Sequence, residues 1–338
     1  MLFIVTNICA DFPFSSFSNL NEFLLLLKGT IDFNDLPLNV SRSFLQNDGT
    51  VSKISKHITK KVADKLNQLY KNERENYEKF WDDINPFIKY GCVKENDFYE
   101  KVKDIIIYKD LNAKYLSLQE YLDNVKEKHE NQVFYVTDEV QQSQYIKMFK
   151  ENEMNAIFLN AVIDNHFMSF LESKESNVKF KRIDSDISDS LKNTDDKEEN
   201  KELKESLEKL FKETLGKEKL KIQVESLKSE NTTAMILVSE ESRRMYDMSK
   251  MWSTMGMGAG ADMFQVEETL VLNKNSKLIN LILKLSKSDT NKDDLKLICE
   301  EVYDLALISN KQLNADELSN FTERSNNLIV KLLDKFIN

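Results

Sequence analysis

The stretch Leu26–Leu66, "LLKGTIDFNDLPLNVSRSFLQNDGTVSKISKHITKKVADKL", changes character twice. Its first residues close an apolar helical run that starts at Asn19, and Gly29 suits the C-terminal cap. "TIDFNDLPLNV" then reads as extended, since Pro37 bars helix in the residue before it. From Ser52 a long helix is expected: Ile54, Ile58, Val62, Leu66 and Leu69 recur at spacings of four and three, with Lys and Asn on the other faces. Arg42 stands at the turn from extended to helical, with Gln46 following it. A loop arginine ordinarily pairs with an acid such as Asp35. A rigidly framed one, planar and always charged, can instead be directed at a phosphate held by another domain.

The remaining composition limits what such a loop can serve. The chain has 338 residues, room for two cores. Only 7 glycines and 3 prolines favour long helices over a β-sandwich. A net charge of -10, with no basic stripe carrying interleaved aromatics, argues against nucleic acid as a partner. Cys9, Cys92 and Cys299 are far apart and read as reduced thiols of a cytoplasmic protein. His57, His129 and His166 share no metal-ligand spacing, so no metal is expected. The apolar N-terminus has no basic residue before Lys28, unlike a secretory signal. The run "FLLLL" at 23–27 is far too short to span a bilayer.

A second helix is expected around Glu73–Asp83, its Tyr77, Phe80 and Trp81 reading first as core. Then strands and helices alternate. "QVFYVTD" (132–138), "AIFLN" (156–160) and "VKFKRID" (178–184) are strands, the last edge-like. "EVQQSQYIKMFKENE" and "DNHFMSFLES" are the helices between them, giving a small, mainly parallel sheet. The charged run 187–200 marks a domain boundary. Beyond it comes a helix with Leu203, Leu207, Leu210 and Phe211 on one face, closed by Gly216. "KLKIQVESL" and "TTAMILVS" follow as an antiparallel pair in an α+β domain. Two terminal helices form a hairpin. Leu295, Ile298, Val302 and Leu305 stripe the first; Leu318, Phe321, Leu328, Ile329, Leu332 and Phe336 stripe the second, which opens on the capping-box pattern "NADE" at Asn314. These faces are wide for a chain end; pairing with a second copy into a four-helix bundle would bury them, and packing on the chain's own domain is the alternative.

Motifs for small-molecule chemistry are weak or missing. "GMGAGA" (256–261) matches a dinucleotide fingerprint but follows a helical stretch where the fingerprint needs a strand, so it reads as a flexible loop. No Walker A, zinc-protease or nucleophile-elbow pattern occurs. An enzyme built on the α/β sheet would need polar groups at its strand ends, where Asp138, Asn160 and Asp164 stand without an obvious nucleophile. "SEESRRMYDMSKMWSTMGMG" is more informative. Ser239 is placed as an N-cap, and Met245, Met248, Trp252 and Met255 form a stripe at helical spacing. Methionine adapts to varied apolar partners, so a partly exposed helix that grips varied apolar surfaces is expected here.

The Leu26–Leu66 pattern, K-G-x-[IV]-D-x-x-D-[LI]-P-L-N-[VL]-S-R-x-x-L-Q, closely resembles the middle domain of the heat-shock protein 90 chaperone family, bacterial HtpG type. "NERENYEKFWDDINPFIKYG", "HENQVFYVTDE" and "VSEESRRMYDMSKM" extend the resemblance from about Asn19 to the C-terminus. It implies an α/β plus α+β architecture. A divergent stretch 1–18 precedes a partial middle domain at 19–186, helical to about 125 and α/β from about 126. A linker at 187–200 leads to a C-terminal dimerisation domain at 201–338. The family's N-terminal ATPase motifs do not occur in this sequence. The resemblance therefore implies that Arg42 and Gln46 reach an ATP phosphate only where another domain holds it. This chain alone is not expected to bind ATP and Mg or to hydrolyse ATP. The implied function is that of a homodimeric chaperone binding unfolded clients on Met245, Met248, Trp252 and Met255 and around Trp81, with a separate chaperone ATPase as a further candidate partner. A non-functional truncated remnant is the alternative.

Overall fold

The computed structural model describes Phe23 and residues 49–127, 130–186, 191–192, 201–217, 220–245, 249, 267–287 and 292–337. Arg42, Gln46, Met248, Trp252 and Met255 lie outside the described residues, as do the stretch 1–18 and most of 187–200. The chain divides into two compact units, Met1–Asn124 with Leu159–Lys179, and Val125–Phe158 with Phe180–Asn338. The charged run 187–200 thus falls within the sequence span of the second unit.

In the first unit, α1 (Gly49–Asn72) buries Ile58, Val62 and Leu66 and half-buries Leu69, as the spacing predicts. α2 (Arg74–Lys94) runs about three turns past the expected end at Asp83, straight through Pro86. Pro86 has no N–H for the carbonyl of Asp82. The side-chain amide of Asn85 donates to that carbonyl at 3.1 Å, and to the carbonyl of Trp81 at 3.0 Å. Tyr77 and Trp81 lie on the buried face, while Phe80 is on the solvent side, one position off the period that carries Tyr77, Trp81 and Ile88 inward. Gly91 is required: a Cβ there would stand 2.7 Å from the ring of Phe23, which stacks on Phe98. α3 (Asn96–Val102) and a short hairpin, β1 (Ile107–Lys109) and β2 (Tyr115–Ser117), complete this helical part before α4 (Leu118–Val125).

The second unit holds two small sheets. In the first, β3 (Gln132–Val136) is central, between β4 (Ile157–Phe158) and β5 (Lys179–Arg182). β3 and β4 pair in parallel, Tyr135 opposite Ile157. α5 (Ser143–Glu151) connects them and buries Tyr145, Met148 and Phe149. The other sheet corrects the expected antiparallel pair. β6 (Lys221–Glu225) and β7 (Ala234–Val238) do not touch, because β8 (Glu268–Asn273) lies between them, parallel to β6 and antiparallel to β7. "ETLVLN" looks unlike an edge strand since it is central, with its last four residues buried. α6 (Asp164–Lys174) belongs to the first unit. α7 (Lys201–Leu215) packs Leu207 and Phe211 on the second sheet, and Gly216 ends it at φ 59°, where only glycine rests without strain. α8 (Lys277–Ser286), which periodicity missed, precedes α9 (Lys292–Ile308) and α10 (Ala315–Ile337). Among the described residues, no helix is long and apolar enough to cross a membrane.

Candidate functional site

Residues 240–245 are helical and form the root of the methionine-rich segment, and the second unit grips that root. Ser239 caps it as expected, accepting from the Ser242 amide at 3.2 Å. Glu240 accepts from the Tyr135 hydroxyl at 2.6 Å, from the Arg182 amide at 3.0 Å and from Arg244 at 2.8 Å. Burial first, and then the Glu240 charge, push the Tyr135 hydroxyl well above its ordinary value, so it stays a donor.

Beneath the root sits Asp184, wholly buried just past β5. Arg182 grips it with two bonds of 2.6 Å, Nε to Oδ1 and a terminal nitrogen to Oδ2. Gln142 donates to Oδ1 at 3.0 Å, while Arg243 and Asn310 each donate to Oδ2 at 3.3 Å. Burial alone would raise this carboxyl. The Arg182 hydrogen bonds and the charges of Arg243 and Arg182 outweigh it and hold the group below the usual carboxylate range. Spacing and motif reading missed this cluster. Its signal was β5 itself: Val178, Phe180 and Arg182 alternate inward, putting an arginine on a core-facing position.

The terminal hairpin is the other candidate surface. Asn314 and Glu317 form the expected capping box, each side chain bonding the other's amide at 2.9 Å. Arg324 ties α10 to α9, reaching Glu301 at 3.0 Å and Asp304 at 2.5 Å, and Lys331 pairs with Asp294. Of the residues named for an interface, Leu318, Ile329, Leu332 and Phe336 are exposed along one stripe of α10, and Leu305 is exposed on α9. Ile298, Phe321 and Leu328 are half-buried. Leu295 and Val302 are not available to a partner, because they complete the core against the sheet of this same chain. Trp81 is likewise unavailable to a client: it lies buried against Tyr77. Met245 is exposed at the end of the root.

The strand-end groups Asp138, Asn160 and Asp164 are not gathered into a reactive set. Asp138 accepts from the amides of Val140 and Gln141 at 2.9 Å, and Asn160 is exposed. Asp164 is buried against Lys89 at 2.5 Å and accepts from the Ala161 amide at 2.9 Å. Burial pulls the Lys89 ammonium down despite the opposing pull of Asp164.

Comparison with known proteins accounts for this arrangement. The family model described as "Hsp90 protein" matches residues 15–336. The chain belongs to the Hsp90 family. It is 36% identical over 274 residues to "Chaperone protein htpG" of Bacteroides fragilis strain YCH46, covering 78% of this chain and 40% of that protein. It is 31% identical over 380 residues to the "Chaperone protein HtpG" of Bacteroides thetaiotaomicron, covering 91% of this chain and 55% of the relative. The Porphyromonas gingivalis (strain W83) "Chaperone protein HtpG" is 36% identical over 281 residues, with 79% of this chain and 40% of the relative covered. The chain thus spans about half the length of the curated Hsp90-family relatives it matches. The resemblance carried by the Leu26–Leu66 pattern is a family membership.

Proposed function

We propose that this chain works as the middle and C-terminal portion of an HtpG-type chaperone, dimerising through α10 and holding partly folded clients on the methionine-rich helix. The observation that carries the reading is the state of α10. Across its 23 residues the buried residue is an arginine, Arg324, while its apolar stripe faces outward. A helix is stabilised in water mainly by burying an apolar face, and the capping box and ion pairs replace only part of that. A second copy of the same helix, related by a two-fold axis, supplies the missing surface. Clients are held passively by apolar contact with Met245, Met248, Trp252 and Met255, methionine tolerating varied partners. Arg42 and Gln46 act on ATP only where another domain or polypeptide presents it, and this chain alone binds no nucleotide and hydrolyses none.

The test combines molar mass and holding activity. Sedimentation of the chain over a dilution series should give a dimer that becomes monomeric on removing residues 314–338. The chain should also slow aggregation of a chemically unfolded protein, and Met245→Glu should weaken that effect without changing molar mass. A monomer at every concentration would sink the dimer reading. Undiminished holding by Met245→Glu would sink the placement of the client surface.

A further inference from the structure

We propose that Asp184 is a positioning residue coupling the C-terminal hairpin to the root of the methionine-rich helix, with Asn310 and Arg243 as its two adjustable contacts. Charge neutralisation does not require those contacts. The double bond from Arg182 already pairs the buried carboxylate at 2.6 Å on both oxygens. Arg243 and Asn310 add bonds of 3.3 Å to the same oxygen, from different parts of the chain. Arg243 is in the root. Asn310 stands in the turn between α9 and α10, its amide bonded to the Leu307 carbonyl at 2.9 Å. A strong, fixed pair is therefore flanked by two weak, breakable spokes.

The Asn310 spoke serves two acceptors at once. Its side-chain amide shares its donation between Oδ2 of Asp184 and the carbonyl of Ile236 on β7, both at 3.3 Å. A small displacement at the end of α9 shortens one of these bonds at the cost of the other. Moving toward Ile236 withdraws a donor from Oδ2 and leaves that oxygen to Arg182 and Arg243. Arg243 then tightens, and the root shifts with it. The hairpin and the root thus act on one carboxylate oxygen, and a shift of either changes the contact available to the other, which is what coupling requires. The root is also held independently, through Glu240 to Tyr135 and Arg244, so it can adjust without coming free. That the coupled ends serve dimerisation and client holding rests on the function proposed above; the coupling itself does not.

The experiment is amide hydrogen exchange on the full chain for the wild type, Asn310→Ala, Arg243→Ala and the double variant. The sheet β6–β8–β7 serves as an internal reference. Arg243→Ala should speed exchange at residues 243–245 by about fivefold, the loss expected for one hydrogen bond, whereas Asn310→Ala, which leaves Oδ2 to Arg182 and Arg243, should slow it by up to the same factor. β6 and β8 should keep wild-type protection. In the double variant, residues 243–245 should exchange no faster than in Arg243→Ala, because the Asn310 contact acts through Asp184. Asn310→Gln, which retains the amide, should restore wild-type exchange. Multiplying effects in the double variant, an unmoved root in Asn310→Ala, or even loss across β6 and β8 would each overturn the proposal. None of these readouts depends on dimerisation or client binding, so failure of the chaperone reading would be seen separately.

Discussion

Truncating the exposed stripe of α10 should dissociate the dimer while leaving each protomer folded. Leu332 and Phe336 are 56% and 80% exposed in the single chain. Fully burying such side chains contributes about 1.5–3 kcal/mol each, so covering the exposed fraction gives about 1 kcal/mol for Leu332 and about 2 kcal/mol for Phe336. A two-fold interface counts each twice, for about 6 kcal/mol, and incomplete covering brings the range to about 3–6 kcal/mol. At about 1.4 kcal/mol per decade, Leu332→Ala with Phe336→Ala should weaken the dimer by about two to four decades. Sedimentation velocity over a dilution series reads this directly. Val140→Ala is the control, since Val140 is 83% exposed without belonging to the stripe. The monomeric variant should keep the helical signal of a folded protomer, while its melt falls by the stabilisation the dimer supplied. A dissociation constant within threefold of wild type would refute the assignment of this stripe to the interface.

Three further outcomes follow from buried charge and from capping. Lys89→Met strands the Asp164 carboxylate in the core and should cost about 3–5 kcal/mol in a urea titration, whereas adding Asp164→Asn, which keeps an acceptor for the Ala161 amide, should recover most of it. Asn314→Ala removes one half of the capping box and should lower stability by about 1 kcal/mol, with the loss of helical signal confined to the start of α10. Asp184 is held below its ordinary value, so the stability it contributes is present above the unfolded-state value and is lost as pH falls through the lower folded value. Exchange protection at residues 243–245 should therefore survive to about pH 4 and be lost only below it; collapse above about pH 4, in the range of a raised carboxyl, would show that the arginine grip is not what holds the root.

Where a segment has one buried face, its periodicity was readable. The stripe Ile58, Val62, Leu66 defined α1, and Leu207 with Phe211 defined α7, because each helix packs one side against a core. The reading failed where local signals conflicted with the tertiary outcome. α2 was expected to end near Asp83, but it runs through Pro86, where the neighbouring Asn85 amide donates to the Asp82 carbonyl that proline cannot serve. β8 was overlooked because a central strand buried on both faces carries no alternation. Once β8 is placed, β6 and β7 cannot pair, and no local pattern in either strand could have revealed that.

The candidate site divides in the same way. The capping box at Asn314 and the N-cap at Ser239 are local devices, and both were legible within four residues. The Asp184 cluster joins residues 142, 182, 184, 243 and 310, whose separations carry no motif. A surface stripe has the opposite difficulty. Leu295 and Leu332 look alike as members of an apolar helical face, yet one is buried in the core of its own chain and the other is exposed. What separates them is which neighbour each helix already has. α9 lies against β7 and α7 and satisfies its apolar face there, whereas α10 contacts α9 through Arg324 and its acids. An ion cluster ties α10 to α9 on one side, while Leu318, Ile329, Leu332 and Phe336 stay exposed on the other, as a self-complementary interface requires, and the turn of the hairpin carries Asn310, the residue that reaches Asp184.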